Sequence, residues 1–304
     1  MWDGAIKGQM MADLNSLQKP FRKLRKTLKS LRRDPAPNVV HRLRTQIRKA
    51  EAAVHAFTLD QKRNGLRLLK VLKPARRAAG KVRDIDVFVR LASTLPAQSS
   101  EECLVELLES LGMRRTRAAE NLDKVVTGKK KEIRRRLRRC SKMIEKRLSA
   151  SGAGSPGSVQ ISTGVAVRVK QLESELERWP KLSKGNLHPY RLKVKELGYT
   201  LQLEQEGDFS YMQTLREVKD RIGRWHDWDA LAKIADKVLE HRSACELTEQ
   251  IAYRAQDELI KALSASKRMD EQYFNIDNST RKSQRTPNPI GLNTSSMKVN
   301  GEYR

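Results

Sequence analysis

"VVHRLRTQIRKAEAAVHAF", residues 39–57, places Val40, Leu43, Ile47, Val54 and Phe57 at the threes and fours of a helical period, so one face of the segment is built for burial. At about 100° per residue, Arg44 and Arg48 fall within roughly 60° of His41, and the apolar residues occupy the neighbouring arc. The basic stripe therefore borders the core face instead of opposing it. In that position it would line a seam between packed helices or a groove between two halves of the chain, where stacked cations repel one another. Either acidic residues of the chain offset them, or an anionic ligand does.

The pattern recurs in "LHPYRLKVKELGYTLQL", residues 187–203, which sets His188, Arg191 and Lys195 beside Leu187, Tyr190, Val194 and Leu201. His41, Arg44, Ile47 and Arg48 correspond to His188, Arg191, Val194 and Lys195 at a constant offset of 147 (188 minus 41). Downstream, "LKPARRAAGKVRDIDVFVRLA" aligns with "LREVKDRIGRWHDWDALAKIA", matching Leu72, Gly80, Asp84, Asp86 and Ala92 to Leu215, Gly223, Asp227, Asp229 and Ala235. The offset there is 143 (223 minus 80), so the second half is shorter by about one helical turn, which preserves facing. The repeat predicts an all-α fold of two similar antiparallel helical bundles with pseudo-twofold symmetry.

Outward from these blocks the apolar period predicts helices over about 38–59, 62–79, 83–95, 101–126 and 129–149, preceded by one containing Leu14, Leu17, Phe21, Leu24, Leu28 and Leu31. A second set is expected over about 165–178, 187–204, 209–223, 227–241 and 244–266. Gly80 and Gly223 read as helix stops, with Asp84 and Asp227 capping the helices that follow and Asp86 and Asp229 orienting arginines. Asn38 reads as the N-cap of the first motif helix. "SASGAGSPGSVQISTG", residues 149–164, is rich in Gly and Ser, so 150–164 is expected to be a flexible linker between a first half (10–149) and a second (165–265). The polar segment 266–304 is expected to be disordered.

Two helix starts bear on ligand chemistry. Pro189 belongs near the first turn of its helix, and an Asn38 cap puts His41 in a first turn as well. Cations there oppose the helix dipole, whereas a phosphate group is favoured by free N–H groups and by a nearby Arg or Lys. Arg is also suited to bidentate contact with phosphate oxygens. Lys81, Arg83, Arg224 and His226, in the second pair of blocks, are candidate additional phosphate contacts.

Composition agrees with an anionic partner. The 304 residues carry a formal net charge of +26 and a sequence pI near 10.2, with 32% charged and only 5% aromatic residues. Such a chain repels itself unless a polyanion shares its surface. Charge alone leaves nucleic acid, an anionic membrane face and inorganic phosphate polymer open. Cys103, Cys140 and Cys245 are odd in number and widely spaced, which suggests neither a disulfide framework nor a zinc site and fits a reducing cytoplasm. No leader pattern and no run of eighteen apolar residues occurs, so neither secretion nor membrane insertion is expected. "KKKEIRRRLRRC", residues 129–140, points its cations all round a helix with Ile133 and Leu137 inward, and reads mainly as a solvated basic surface. Trp225 and Trp228 read as packing residues rather than stacking platforms for bases.

The blocks "VVHRLRTQIRKAEAAVHAF" with "KPARRAAGKVRDIDVFVRL", then "LHPYRLKVKELGYTLQL" with "IGRWHDWDALAKI", resemble the two halves of the CHAD domain, the conserved histidine α-helical domain, over about residues 10–265. The resemblance implies two helical bundles around a basic central channel that binds inorganic polyphosphate and targets the protein to polyphosphate granules. It places the binding motif on His41, Arg44, Arg48 and Lys49 in the first half and on His188, Arg191 and Lys195 in the second. Glu196 and Gly198 stand where the family usually has basic residues, which implies weaker binding by the second half. The triphosphatase domain often joined to this family needs a β-barrel and an N-terminal E-x-E-x-K, and "MWDGAIKG" does not resemble it. Without a Walker loop, nucleophile elbow, metal-ligand cluster or paired carboxylates, no catalysis and no cofactor are expected. Non-specific nucleic-acid binding and a role as accessory subunit of a phosphate-metabolising enzyme remain the alternatives.

Overall fold

The computed structural model describes residues 17–96, 101–149, 156–203, 209–242 and 245–274. Among them the chain is all helix, with no strand. After α1 (residues 17–30) come α2 (Pro37–Ala56), a 3-10 turn (Leu59–Gln61), α3 (Arg63–Ala92) and α4 (Glu101–Ser149). The second half runs α5 (Pro156–Glu177), α6 (Leu187–Leu201), α7 (Phe209–Val238) and α8 (Glu246–Tyr273).

Three apolar cores hold these helices. Phe21, Leu24 and Leu28 of α1 join Leu43 and Ile47 of α2, Leu68 and Leu72 of α3, and Ile133 and Leu137 of α4 in the first bundle. Leu172 of α5, Tyr190 and Leu197 of α6, Leu215 and Ile222 of α7, and Ala262 and Met269 of α8 form the second. A third core ties the halves together: Phe88 and Ala92 of α3, Leu107 and Leu111 of α4, Trp228 and Leu231 of α7, and Leu247 and Ile251 of α8. Each half thus contributes one long hairpin, α3–α4 or α7–α8, whose far end leaves its own bundle and docks on the other hairpin. In addition α2 packs on α6, and α3 on α7, across the middle.

Several expected boundaries move. Gly80 and Gly223 do not stop helices: α3 runs through the first and α7 through the second. Glycine inside a helix costs about 1 kcal/mol, an amount that burial of the flanking Ala79, Val82, Ile222 and Trp225 offsets. Asp84 and Asp227 are accordingly helix-interior residues, not caps. The predicted break near residue 128 is also missing, because Leu122, Val126, Ile133 and Leu137 keep the inward face of α4 continuous through Gly128. Pro37, whose fixed φ suits a first helical position, sits at the start of α2 with Ala36 as N-cap. The amides of Val39 and Val40 donate to the Ala36 carbonyl at 2.9 and 3.1 Å, so Asn38 lies inside the helix.

α5 begins at Pro156, within the stretch read as a linker, and α8 continues to Tyr273, past the expected start of the tail. Residues 150–155 and 275–304, where the remainder of both expectations falls, lie outside the described residues. Gly65 has a steric task at the start of α3: a Cβ there would sit 2.0 Å from the Leu59 carbonyl oxygen, so only glycine lets the helix meet the preceding turn. Among the described residues no helix is long and apolar enough to cross a membrane.

Candidate functional site

Where α2 crosses α6, beside α3 and α7, the motif side chains of both halves converge. α2 contributes Arg44 and Arg48, both half-buried. α6 contributes Arg191 and Lys195, which are only 8% and 7% exposed. Glycine explains how the arginines fit. A Cβ on Gly223 would stand 2.5 Å from Arg191 Nη2, and one on Gly80 would stand 3.6 Å from Arg44 Nε. Each half therefore lays its motif arginine against a bare patch of the following helix, and the glycines misread as breakers are the floor beneath the guanidinium groups. Arg191 is further fixed by donating from Nε to the Lys219 carbonyl at 3.0 Å.

The nearby carboxylates are already engaged. Arg83 donates from Nη1 and Nη2 to the two oxygens of Asp227 at 2.9 and 3.1 Å, and from Nη1 to Asp84 at 3.0 Å. Arg76 donates to Glu51 at 3.0 Å. Among the described residues, Arg44, Arg48, Arg191 and Lys195 have no ion pair with a carboxylate. Arg44 Nε, Arg48 Nε and His188 Nδ1 are buried without a hydrogen-bond partner.

The electrostatic consequence is strongest at Lys195. Burial, then Arg191, Arg44, Arg48 and Arg83, push its ammonium down to about 5 from an ordinary 10.5. His188 is driven to about 4 by burial, His226 and Arg191. Its ring lies on that of His226, centroids 4.2 Å apart. Burial, Arg44 and Arg76 lower Arg48 to about 10, so it stays charged at neutral pH. By contrast, burial alone would lower Arg83, but Asp227 and Asp84 outweigh it and hold its guanidinium above the usual value. Burial would likewise raise Asp227, yet His226, with Nδ1 3.9 Å away, and the hydrogen-bonded Arg83 keep its carboxyl low. The pair Arg83–Asp227, linking α3 to α7, is thus a settled ionic joint beside an unsettled cluster of cations.

Two hollows open on this cluster. One, about 380 Å³, is lined by Arg48, Glu51, His55, Lys73, Arg76 and Tyr199 among others; a smaller one, about 50 Å³, is lined by Lys195, Tyr199, Arg216 and Lys219. Tyr199 stands in both walls, one turn beyond Lys195 on α6. The larger hollow reaches the seam between α2, α3 and α6, and the smaller lies between α6 and α7.

A CHAD domain family model matches residues 15–236. The chain belongs to the CHAD domain family. Its structure resembles the crystal structure of the CHAD domain from the plant Ricinus communis, with a TM-score of 0.63 at 13% identity, covering 88% of this chain and 92% of that one. A more distant likeness, TM-score 0.49 at 14% identity, is to PptA from Streptomyces chartreusis and covers 88% and 99% of the two chains. None of the curated proteins searched matches the chain.

Within this CHAD domain the expected site residues divide. His41 is exposed, at the start of the second turn of α2; partial desolvation, Arg83, Arg44 and Lys195 lower its pKa, which puts it at the cluster's edge. Arg44, Arg48, His188, Arg191 and Lys195 form the cluster, and His226 adjoins it. Arg83 is next to it but spent on Asp227. Lys49 departs: it faces Lys19 and Lys23 of α1, one residue and about 100° round the helix from Arg48. Lys81 and Arg224 are exposed and stand apart from the buried group. Glu196, the counterpart of Lys49 at the same offset, pairs with Arg168 of α5 and lines the larger hollow. The family departure at Glu196 therefore falls beside the seam rather than in it.

Tyr199 and Lys219 were not singled out from the sequence. Both carry a signal that was there to be read, since each lies four residues from a motif residue on the same helix face, Lys195 and Gly223 respectively. Asp86 does orient an arginine, accepting from Arg115 Nε at 2.8 Å, whereas Asp229 holds Lys184 and Lys233. Trp225 and Trp228 are packing residues, 4% and 7% exposed.

Proposed function

We propose that the protein binds inorganic polyphosphate in the basic seam between its two bundles, and that the polymer carries it to polyphosphate granules in the cytoplasm. The observation that supports this reading is the group of four basic side chains without a carboxylate partner, Arg44, Arg48, Arg191 and Lys195, drawn from both halves, the first two half-buried and the last two buried. Holding them so without an anion is costly, because each desolvated charge also repels the others. A linear chain of tetrahedral phosphates carries one charge per unit and presents oxygens on every side, so it can serve guanidinium and ammonium groups from α2 and α6 at once.

Single-stranded nucleic acid fits less well. Its binding in grooves rests on aromatic faces for the bases, and Trp225 and Trp228 are shut in the cores. The proposal is of binding without turnover, and the length distribution of polyphosphate incubated with the protein should stay unchanged.

The test is a competition titration near physiological salt, with labelled long-chain polyphosphate challenged by single-stranded RNA at matched phosphate concentration. Low salt would let any chain of +26 hold both. Retention of polyphosphate against RNA is the expected result. Displacement phosphate for phosphate would mean that only charge is read, and would give precedence to nucleic acid.

A further inference from the structure

The densest basic run of the sequence is not wholly solvated. Ile133 and Leu137 face inward on α4 as its apolar spacing predicts, but Arg136 and Cys140 turn inward with them, and Arg136 is only 6% exposed. Its side chain reaches an open pocket of about 500 Å³ between α3 and α4, lined by Arg67, Lys70, Val71, Pro74, Lys129, Glu132 and Arg136.

Four cations face one carboxylate there. Glu132 approaches Arg136 Nη2 only to 3.7 Å, and Arg136 Nε is buried with no acceptor. The guanidinium is nevertheless held in place. Asn64 donates its amide to the Arg136 carbonyl at 3.3 Å and to Cys140 Sγ at 3.1 Å, which turns its oxygen toward Arg136 Nη1, 3.3 Å away. Arg63 and Arg136 lower the pKa of Arg67, a further sign of cations in want of an anion.

The position is separate from the seam between the bundles. At about 100° per residue, Arg67, Lys70, Val71 and Pro74 lie on the side of α3 roughly opposite Arg76, Gly80 and Arg83. We infer that this α3–α4 pocket is a second anion site, in which Arg136 is the fixed floor and Arg67, Lys70 and Lys129 are mobile arms closing on a phosphate group. A phosphate offers the buried Nε the acceptor it lacks and supplies the charge that Glu132 alone does not. The group could be one unit of a long polyphosphate or belong to a small phosphate compound, and the chemistry recognised is the same.

The experiment uses the full chain carrying Arg44→Glu and Arg48→Glu, so that the seam is disabled and the outcome does not depend on its function. Inorganic pyrophosphate is titrated at near-physiological salt by calorimetry. Saturable binding is expected, weakened tenfold or more by adding Arg67→Glu with Lys129→Glu, and little changed by the charge-matched pair Arg114→Glu with Arg117→Glu on the exposed face of α4. Arg136→Lys, which keeps the charge but loses Nε and the planar fork, should weaken binding too. Absence of saturable binding, or equal losses for the two double reversals, would overturn the site. A parallel arm places Arg67→Glu with Lys129→Glu in the otherwise natural chain and measures long-chain polyphosphate: a fall in affinity identifies the polymer as the source, and no change identifies a small phosphate compound.

Discussion

α2 and α6 carry the same motif and use it at different depths. On α2 the arginines are half-buried and His41 is exposed, so this helix forms the accessible lip of the seam. On α6 Arg191 is locked over Gly223 and onto the Lys219 carbonyl, Lys195 is sealed among cations, and His188 is stacked under His226. A repeated motif need not mean a repeated task. The lip can meet an incoming polyanion with full charges, whereas the floor holds groups whose charge state depends on whether the anion is present.

The largest effect should come from reversing the lip. Arg44→Glu with Arg48→Glu replaces two accessible cations by carboxylates that repel the polyanion and occupy the remaining cations of the seam, and polyphosphate affinity should fall on the order of 100-fold or more. Arg134→Glu with Arg135→Glu, on α4, alters net charge equally and should cost only a few-fold. Filter binding at several salt concentrations separates the two. Equal losses would mean that the general field, and not the α2–α6 seam, holds the ligand.

The two glycines give a smaller and sharper contrast. In a helix interior alanine is favoured over glycine by about 0.5–1 kcal/mol. At Gly80 the new methyl would meet Arg44 Nε at 3.6 Å, an ordinary contact, so Gly80→Ala should raise the denaturation midpoint. At Gly223 it would stand 2.5 Å from Arg191 Nη2 and 3.1 Å from Cζ of a buried side chain. Arg191 must move, and Gly223→Ala should destabilise by about 1–3 kcal/mol and weaken polyphosphate binding. Opposite signs in guanidinium chloride titrations are the expected outcome. Two stabilising substitutions would show that Arg191 is not held where the structure places it.

These glycines also mark where sequence reading stopped. The all-helical fold and the basic stripes bordering the core on the His41 and His188 helices are legible in periodicity and a constant offset, because both are properties of one helix face; that the two stripes meet is what the family resemblance implies. Gly80 and Gly223 read as breakers because a sequence displays the missing side chain but not the guanidinium that needs the space. Lys49 enters only through the family resemblance, and as a neighbour of Arg48 on the helix it points about 100° away from it. Arg136 could have been recognised as inward-facing, since it lies three residues after Ile133 and four before Cys140. The sequence places Lys195 at the border of the core face, but the depth of its burial depends on the helices packed around α6 and has no local signal.

That burial leads to the smallest and most specific expectation. In the free protein Lys195 titrates at about 5, against 10.5 for an ordinary lysine. Between these values the unfolded chain binds one proton more than the folded one at this site, so its contribution makes the free protein more stable as pH rises through the window. Lys195→Met should flatten that slope without lowering stability at pH 6. A bound polyanion reverses the balance by favouring the ammonium, so at pH 7 binding should take up to one proton from solution, and affinity should decline as pH rises. Calorimetry in two buffers of different ionisation enthalpy reads the proton directly. Uptake that disappears in Lys195→Met would place the anion against the floor of the seam. Uptake that persists undiminished would assign the proton to another group of the cluster, of which His188, held at about 4 by burial, His226 and Arg191, is the nearest candidate.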